Sequence, residues 1–308
     1  MSALDLVRLV VGAAFLAAAA ASDLRERKVK DGLWIVMATL AIALFAVDLW
    51  SQGVDPAVGL VLVPAAVLAF DPLVGQSFRT EEGWQFPVGS IVAYLVALGS
   101  AAYALVDLQA DAAGLSTFLR YLTVPVMMLV FRGMYEIHLL KGGADAKAMI
   151  VIAAFVPGYP VLPPLPMIAL DPRLQDALQV LFPFSLLVLL DAALLFVAAP
   201  IAFLAYNASR GHAKLPMALV GYKVPLDRVP RHAWFMDQIL DGEHVLVFFP
   251  TKRQDQREIA RGLRGAGLKE AWVTPQIPFM VPLTVGYVLA FLVGNPLMGL
   301  LQTAMPRP

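Results

Sequence analysis

The strongest constraint on this chain is a succession of long apolar runs, lying roughly at 4–22, 33–50, 56–74, 86–106, 117–137, 146–168, 178–206 and 276–301. Each approaches the ~20 residues that a helix needs to cross about 30 Å of hydrocarbon. None alternates with a period of two or is cut by regular turn signals, so the runs read as helices. Hydrocarbon offers no hydrogen-bond partner to the backbone, and helices satisfy their own. The expected fold is therefore an all-α polytopic membrane protein with about eight transmembrane helices. The first run has the length of a secretory signal but lacks a basic start, and charged residues follow it, so it is read as a retained span.

Two runs are irregular. The fifth is interrupted by Arg120, Arg132 and Glu136, and the sixth runs into PGYPVLPPLP at 157–166. Five prolines in ten residues cannot continue a helix, so the helix from Asp145 is expected to stop near Phe155 and pass into extended or re-entrant chain. Basic residues in short loops mark the cytoplasmic side. Segments 23–32, 75–85, 138–147 and 207–275 hold 18 of the 23 Lys and Arg, whereas the opposite loops 51–55, 107–116 and 169–177 hold Arg173 alone. This asymmetry places the chain in the cell membrane with its N-terminus outside and the loops at 23–32 and 138–147 in the cytoplasm.

The chain divides into a membrane domain at 1–206, a cytoplasmic insert at 207–275 and a C-terminal transmembrane helix at 276–308. In the insert, HVLVFFP at 244–250 reads as a short buried strand, and DQREIARGLRGAG at 255–267 as an amphipathic helix closed by a Gly cap, which makes the insert a small α/β unit. Lys+Arg 23 against Asp+Glu 23 gives no net charge to attract nucleic acid. With no Cys there are no disulfides, thiol nucleophiles or cysteine zinc modules, and the four scattered His show no metal-ligand spacing. Neither a metal nor a cofactor is expected.

In so apolar a chain, charged residues at helix mouths are the first candidates for chemistry. Asp23 closes the first run and opens DLRERKVKDGL, and Asp145 lies in KGGADAKAM, ahead of the sixth run. Gly142 and Gly143 permit tight backbone conformations, with a positive φ at either as the expected means of aiming Asp145. Each Asp alone has a plain structural reading, as a helix-end charge or the N-cap of a turn. Two carboxylates at helix ends on one membrane face are also what an aspartic protease requires: one ionised to take a proton from water, the other kept neutral by its neighbour's charge to protonate the scissile carbonyl.

At these residues the sequence resembles the type IV prepilin peptidases, specifically their archaeal preflagellin (prearchaellin) and prepilin branch of GxGD-type membrane aspartic proteases. Asp23, Val29, Asp31 and Leu33 match the first motif, with Lys30 where Pro is common. Gly142, Asp145 and Lys147 match Gly-x-Gly-Asp-x-Lys, with Ala144 in place of the second Gly. WVTPQIPFMVP at 272–282 and GYKVP at 221–225 are similar to the same branch. The resemblance implies an aspartic endopeptidase that removes the basic leader of prepilin or prearchaellin precursors at the cytoplasmic face, with Asp23 and Asp145 catalytic and Gly142, Gly143 and Lys147 supporting the loop. Bacterial relatives carry a cysteine-bound zinc module and methylate the product, so a chain without Cys is expected to lack methyltransferase activity. The separation of 122 positions from Asp23 to Asp145 leaves room for four spans where a six-span core needs two, so 75–137 is expected to hold an added helix pair.

The rival reading is a secondary transporter or channel, with Asp191, Asp71 and the Pro-broken sixth run forming a midplane ion site. A transporter of that kind would show a pseudo-repeat, and none is visible. Asp191, in LLVLLDAALL, reads as structural before it reads as a proton path. Asp71 and Asp107 read as interfacial, Arg132 and Glu136 as an ion pair one helical turn apart, and Trp34, Trp50, Trp84 and Trp272 as members of aromatic belts.

Overall fold

A computed structural model of the chain describes residues 3–74, 79–80, 83–84, 87–140, 142–168, 170–230, 232–240, 242–248, 250 and 255–304. It is mostly helical, and it divides into two compact units, Met1–Ala193 with Phe279–Pro308, and Leu194–Pro278.

The first unit is a helical bundle. It begins with α1 (Ala3–Glu26) and α2 (Asp31–Ser51), followed by the short α3 (Pro56–Gly59) and α4 (Leu62–Val74). A two-residue hairpin, β1 (Arg79–Thr80) and β2 (Gly83–Trp84), leads to α5 (Val88–Asp107), α6 (Ala112–Glu136) and α7 (Gly143–Phe155). Next come α8 (Pro172–Leu181) and the start of α9 (Phe184–Ser209), and the unit closes with α12 (Met280–Leu292) and α13 (Pro296–Ala304). Among the described residues, seven segments are long and apolar enough to cross a membrane: Ala3–Glu26, Asp31–Ser51, Pro56–Leu73, Val88–Ala110, Ala112–Glu136, Phe184–Ser209 and Met280–Gln302. The sixth expected run, 146–168, is not among them. Its helix ends at Phe155, as the prolines dictate, and 13 residues at ~1.5 Å each rise only about 20 Å. The seventh run is also divided, into α8 and α9, and the eighth breaks at Gly294, whose φ is +84°.

α7 lies at the centre of this unit. From Ala148 onward it is apolar on every face, and residues from Ala146 to Phe155 are buried, apart from Lys147. An all-round apolar helix is stable only when enclosed, and α7 packs against α1, α2, α4 and α6. Trp34, Phe45, Phe118, Phe131 and Tyr287 fill the surrounding core. Trp34 is thus a core residue, not a belt residue, whereas Trp50 is 84% exposed. α1 approaches α12 closely at Gly12, where a Cβ would overlap the ring and hydroxyl of Tyr287, and that hydroxyl donates to the Arg8 carbonyl (2.7 Å).

Charges inside the bundle are paired across helices. Arg132 forms its ion pair with Asp71 of α4, 61 positions away in sequence, and donates to the Tyr94 hydroxyl (3.0 Å); the expected partner Glu136 acts on it by charge without an ion-pair contact among the described residues. The Asp71 side chain is buried against Arg132, three residues from the end of α4. Arg8 bridges Asp5 (3.1 Å) and Asp48 (2.9 Å), and Asp5 also accepts the amide of Val161 from the Pro-rich segment (3.0 Å). None of Asp5, Arg8 and Asp48 stands out in the sequence as a group, because the contacts join α1, α2 and a distant loop.

The second unit contains the end of α9, α10 (Met217–Val220), β3 (Tyr222–Pro225), β4 (Ala233–Phe235), β5 (Asp237–Leu240), β6 (Glu243–Leu246), α11 (Gln256–Gly265) and β7 (Glu270–Pro275). β7 is the middle strand of an antiparallel sheet ordered β3-β7-β4, with Val273 opposite both Tyr222 and Phe235. Val224, Phe235, Leu263, Ala271 and Val273 form its core. α11 is capped as its sequence requires: the Asp255 carboxylate accepts the Arg257 amide, and Gly267 takes φ +80° beyond the last turn. The expected strand 244–250 is corrected to β6, whose first residues Glu243 and His244 are exposed; Phe249 lies outside the described residues. Trp272 is buried in β7, and the side chain of Trp84 lies outside the described residues, so among the described Trp of the expected belts Trp50 alone is exposed.

Candidate active site

Both Asp motifs sit where a helix meets its loop. Asp23 occupies the last turn of α1, and Asp145 the first turn of α7, three residues after the N-cap Gly142. Asp145 is therefore not itself the cap. Its carboxyl folds back over Gly142, in the space a Cβ would take. The expected positive φ is absent at both glycines: Gly142 has φ −95° and ψ 125°, and Gly143 is helical. Gly142 serves by leaving room, which any larger residue would deny. Gly143 is unconstrained in this way, since a Cβ there meets only the Tyr135 hydroxyl at 3.7 Å.

Although 122 positions apart in sequence, the two carboxyls come within electrostatic reach. Burial first, and then the charge of Asp23, push the Asp145 carboxyl up to about 7. A carboxyl so placed still holds its proton in mildly acidic water and releases it as the pH rises through neutrality. Such a group can donate a proton, which an ordinary surface Asp cannot do at that pH.

Two further motif residues, Lys147 and Asp31, meet each other. Lys147, on α7, reaches Asp31 at the start of α2 (2.5 Å), tying the loop after Asp23 to the helix that carries Asp145. The two loops share a second property. Among the described residues, two non-glycine residues have φ above zero, Arg27 (+55°) and His138 (+61°). Arg27 follows α1 directly after the Asp23 turn, and His138 ends α6 just before the Gly142–Asp145 turn. The left-handed conformation costs an ordinary residue about 1–2 kcal/mol, and such strain concentrates where a structure holds functional groups. Neither residue is marked by its sequence; an Arg in a basic loop gives no hint of its φ. Asp191 lies elsewhere in the bundle, buried on α9 with Oδ2 lacking a partner among the described residues.

A family model described as Archaeal Peptidase A24 C-terminus Type II matches residues 213–295. A preflagellin peptidase of Methanocaldococcus jannaschii is 25% identical over 185 residues, which span 58% of this chain and 73% of that protein. Both matches support the archaeal preflagellin peptidase family. The family-model match takes in most of the second unit and α12, and it contains neither Asp23 nor Asp145. The grouping of those two carboxyls is thus a separate observation from the family match, made on residues the match does not reach.

Proposed function

We propose that this chain is an aspartic endopeptidase that cleaves the basic leader from prepilin or prearchaellin precursors at the cytoplasmic membrane face. The observation that carries the reading is the grouping of Asp23 with Asp145, two carboxyls at helix ends, with the Asp145 carboxyl pushed up to about 7 by burial first and then by the charge of Asp23. Asp23, ionised, takes a proton from the attacking water while Asp145 gives its proton to the scissile carbonyl oxygen; the tetrahedral intermediate then collapses as Asp23 passes its proton to the leaving nitrogen and Asp145 takes one back from a hydroxyl, which expels the amine and restores the dyad. A precursor with a positive leader and an apolar helix suits a protein of this kind, since its helix can lie in lipid while the leader junction reaches the water boundary. The junction must be extended when cut, because a helix engages its carbonyls in its own hydrogen bonds. The transporter alternative loses support from the same bundle, since Asp71, one of its ion ligands, is neutralised by Arg132.

The test is a precursor-processing assay in membranes with expression followed by blot. Asp23→Asn and Asp145→Asn should each abolish cleavage, and the double variant should look no worse than either, because the two groups serve one step. Asp191→Asn should retain activity. Substantial cleavage by either single Asn variant at the dyad would remove the proposal.

A further inference from the structure

Arg120 stands about 12 Å along α6 from its first residue, inside a segment long and apolar enough to cross a membrane. Arg8 and Arg132, which also lie on such segments, are each neutralised by carboxylates. Arg120 forms no ion pair among the described residues. Its Nε is buried without a hydrogen-bond partner, and its guanidinium carbon lies 5.4 Å from the centroid of the Tyr121 ring. A ring engages a guanidinium through its π-face and accepts no in-plane hydrogen bonds, so the N–H edge still needs an acceptor. The same side chain borders a cavity of about 580 Å³ where α6 packs on α8, within the size range of small-ligand sites (about 300–1,000 Å³). The shape of the cavity follows from helical spacing. Ala112, Ser116 and Arg120 follow one another at intervals of four along one face of α6, so two small side chains leave a trough between Arg120 and the end of the helix. Leu115 and Leu119 line it beside them, and Val180 of α8 completes the lining; Leu119 and Val180 are 47% and 52% exposed. Side chains on a helix lean toward its N-terminus, which for Arg120 is the direction of Ser116, Ala112 and the membrane surface. Asp111, the acid at that end, is turned away: its carboxyl accepts the Ala113 amide and lies over Gly114, on the buried side of α6.

We propose that the trough between α6 and α8 is a lipid site, in which Arg120 binds the phosphate of an anionic membrane phospholipid and Leu115, Leu119 and Val180 receive the start of its hydrocarbon chains. A guanidinium without a counter-charge is costly within a bilayer, and a phosphate supplies both the charge and a planar pair of acceptors for the N–H edge. Basic pockets between spanning helices hold lipid head groups by the same chemistry. Free phosphate would satisfy Arg120 equally but would leave the apolar lining bare, so the lining selects a lipid as the source. The trough opens at the start of α6, whereas the Asp145 turn follows its other end, so the site is separate from the dyad and stands without it.

The test uses the full chain, purified in detergent, freed of bound lipid and titrated by native mass spectrometry. The probes are phosphatidylglycerol, a diacylglycerol with the same chains, and inorganic phosphate. Phosphatidylglycerol should bind about tenfold or more tightly than the diacylglycerol, the difference expected from hydrogen bonds to a charged group, and inorganic phosphate should not displace it. Arg120→Gln should lower the affinity for phosphatidylglycerol by about the same factor, and Arg120→Lys, which keeps the charge but not the planar fork, by less. Ser116→Leu keeps the charge and fills the trough, and it should weaken binding about as much as Arg120→Gln. That change is apolar on an exposed face of a span, so it gives the decision if Arg120→Gln fails to accumulate. Arg228→Gln, which removes an exposed basic side chain of the second unit, should bind as the parent does. Parent-like affinity in Arg120→Gln or Ser116→Leu would overturn the inference, as would equal binding of the diacylglycerol. Displacement by inorganic phosphate would mark a site for a free anion, and an equal loss in Arg228→Gln would mark unspecific attraction to positive charge; either result also overturns it.

Discussion

Gly142 lacks a side chain where the Asp145 carboxyl needs the space, and this defines a prediction at the scale of one methyl group. In Gly142→Ala the Cβ and the carboxyl cannot both keep their places, so Asp145 must rotate away from its position. Misplacement of a catalytic group by about 1 Å can cost ~100-fold in rate, and a loss of 10- to 100-fold in precursor processing is expected. Gly143→Ala, whose new methyl makes ordinary contact with the Tyr135 hydroxyl, should process within about twofold of the parent. The two variants add the same atom at adjacent positions, so equal losses, or none, in the processing assay would contradict the geometric role of Gly142. The spacing of the motif in the sequence shows that small residues are wanted here. It does not show which of the two is needed, nor that the need is for space and not for φ, because both demands select glycine.

At the scale of helices, the ion pair between Arg132 of α6 and Asp71 of α4 joins two elements, with the carboxylate buried and the guanidinium partly so. Removing one partner leaves the other uncompensated, which costs about 3–5 kcal/mol for a buried pair, whereas replacing both by apolar residues of similar size is near neutral. Asp71→Asn should therefore lower the thermal midpoint of the purified protein in detergent markedly, and Asp71→Leu combined with Arg132→Met should recover most of the loss. If Glu136 were the true partner of Arg132, Glu136→Gln would cause the larger drop, and the Asp71 variant would be mild. Spacing along a single helix pointed to Glu136, since residues four apart share a face. The bundle instead brings α4 against α6, and in a low-dielectric interior the more deeply buried carboxylate gains more from the pairing. The same applies to Arg8, whose partner Asp48 lies 40 positions away.

At the scale of the molecule, the dyad requires the loops after α1 and after α6 to share one side of the membrane. Single Cys residues placed at positions 28 and 138 of this Cys-free chain should label with an impermeant thiol reagent from the cytoplasmic side, and a Cys at 53, between α2 and α3, only from the other. Labelling of 28 and 138 from opposite sides would exclude the dyad. Much of the architecture was legible beforehand, for identifiable reasons. The spans at α1, α2, α5 and α6 follow from runs of apolar residues, since hydrocarbon solvates nothing else and the backbone must bond internally. The end of α7 at Phe155 follows from five prolines, and the cap and αL glycine of α11 from Asp255 and Gly267, all local rules of the chain. Length alone could not tell that α7 is a short enclosed helix and not an eighth crossing, because an apolar run reads alike whether lipid or protein surrounds it. The sequence by itself determined which segments avoid water and which residue types stand at their ends. Only the tertiary structure decided which opposite charges pair, namely Lys147 with Asp31 and Arg132 with Asp71, because partners far apart along the chain are chosen by the packing of helices and not by spacing along one of them.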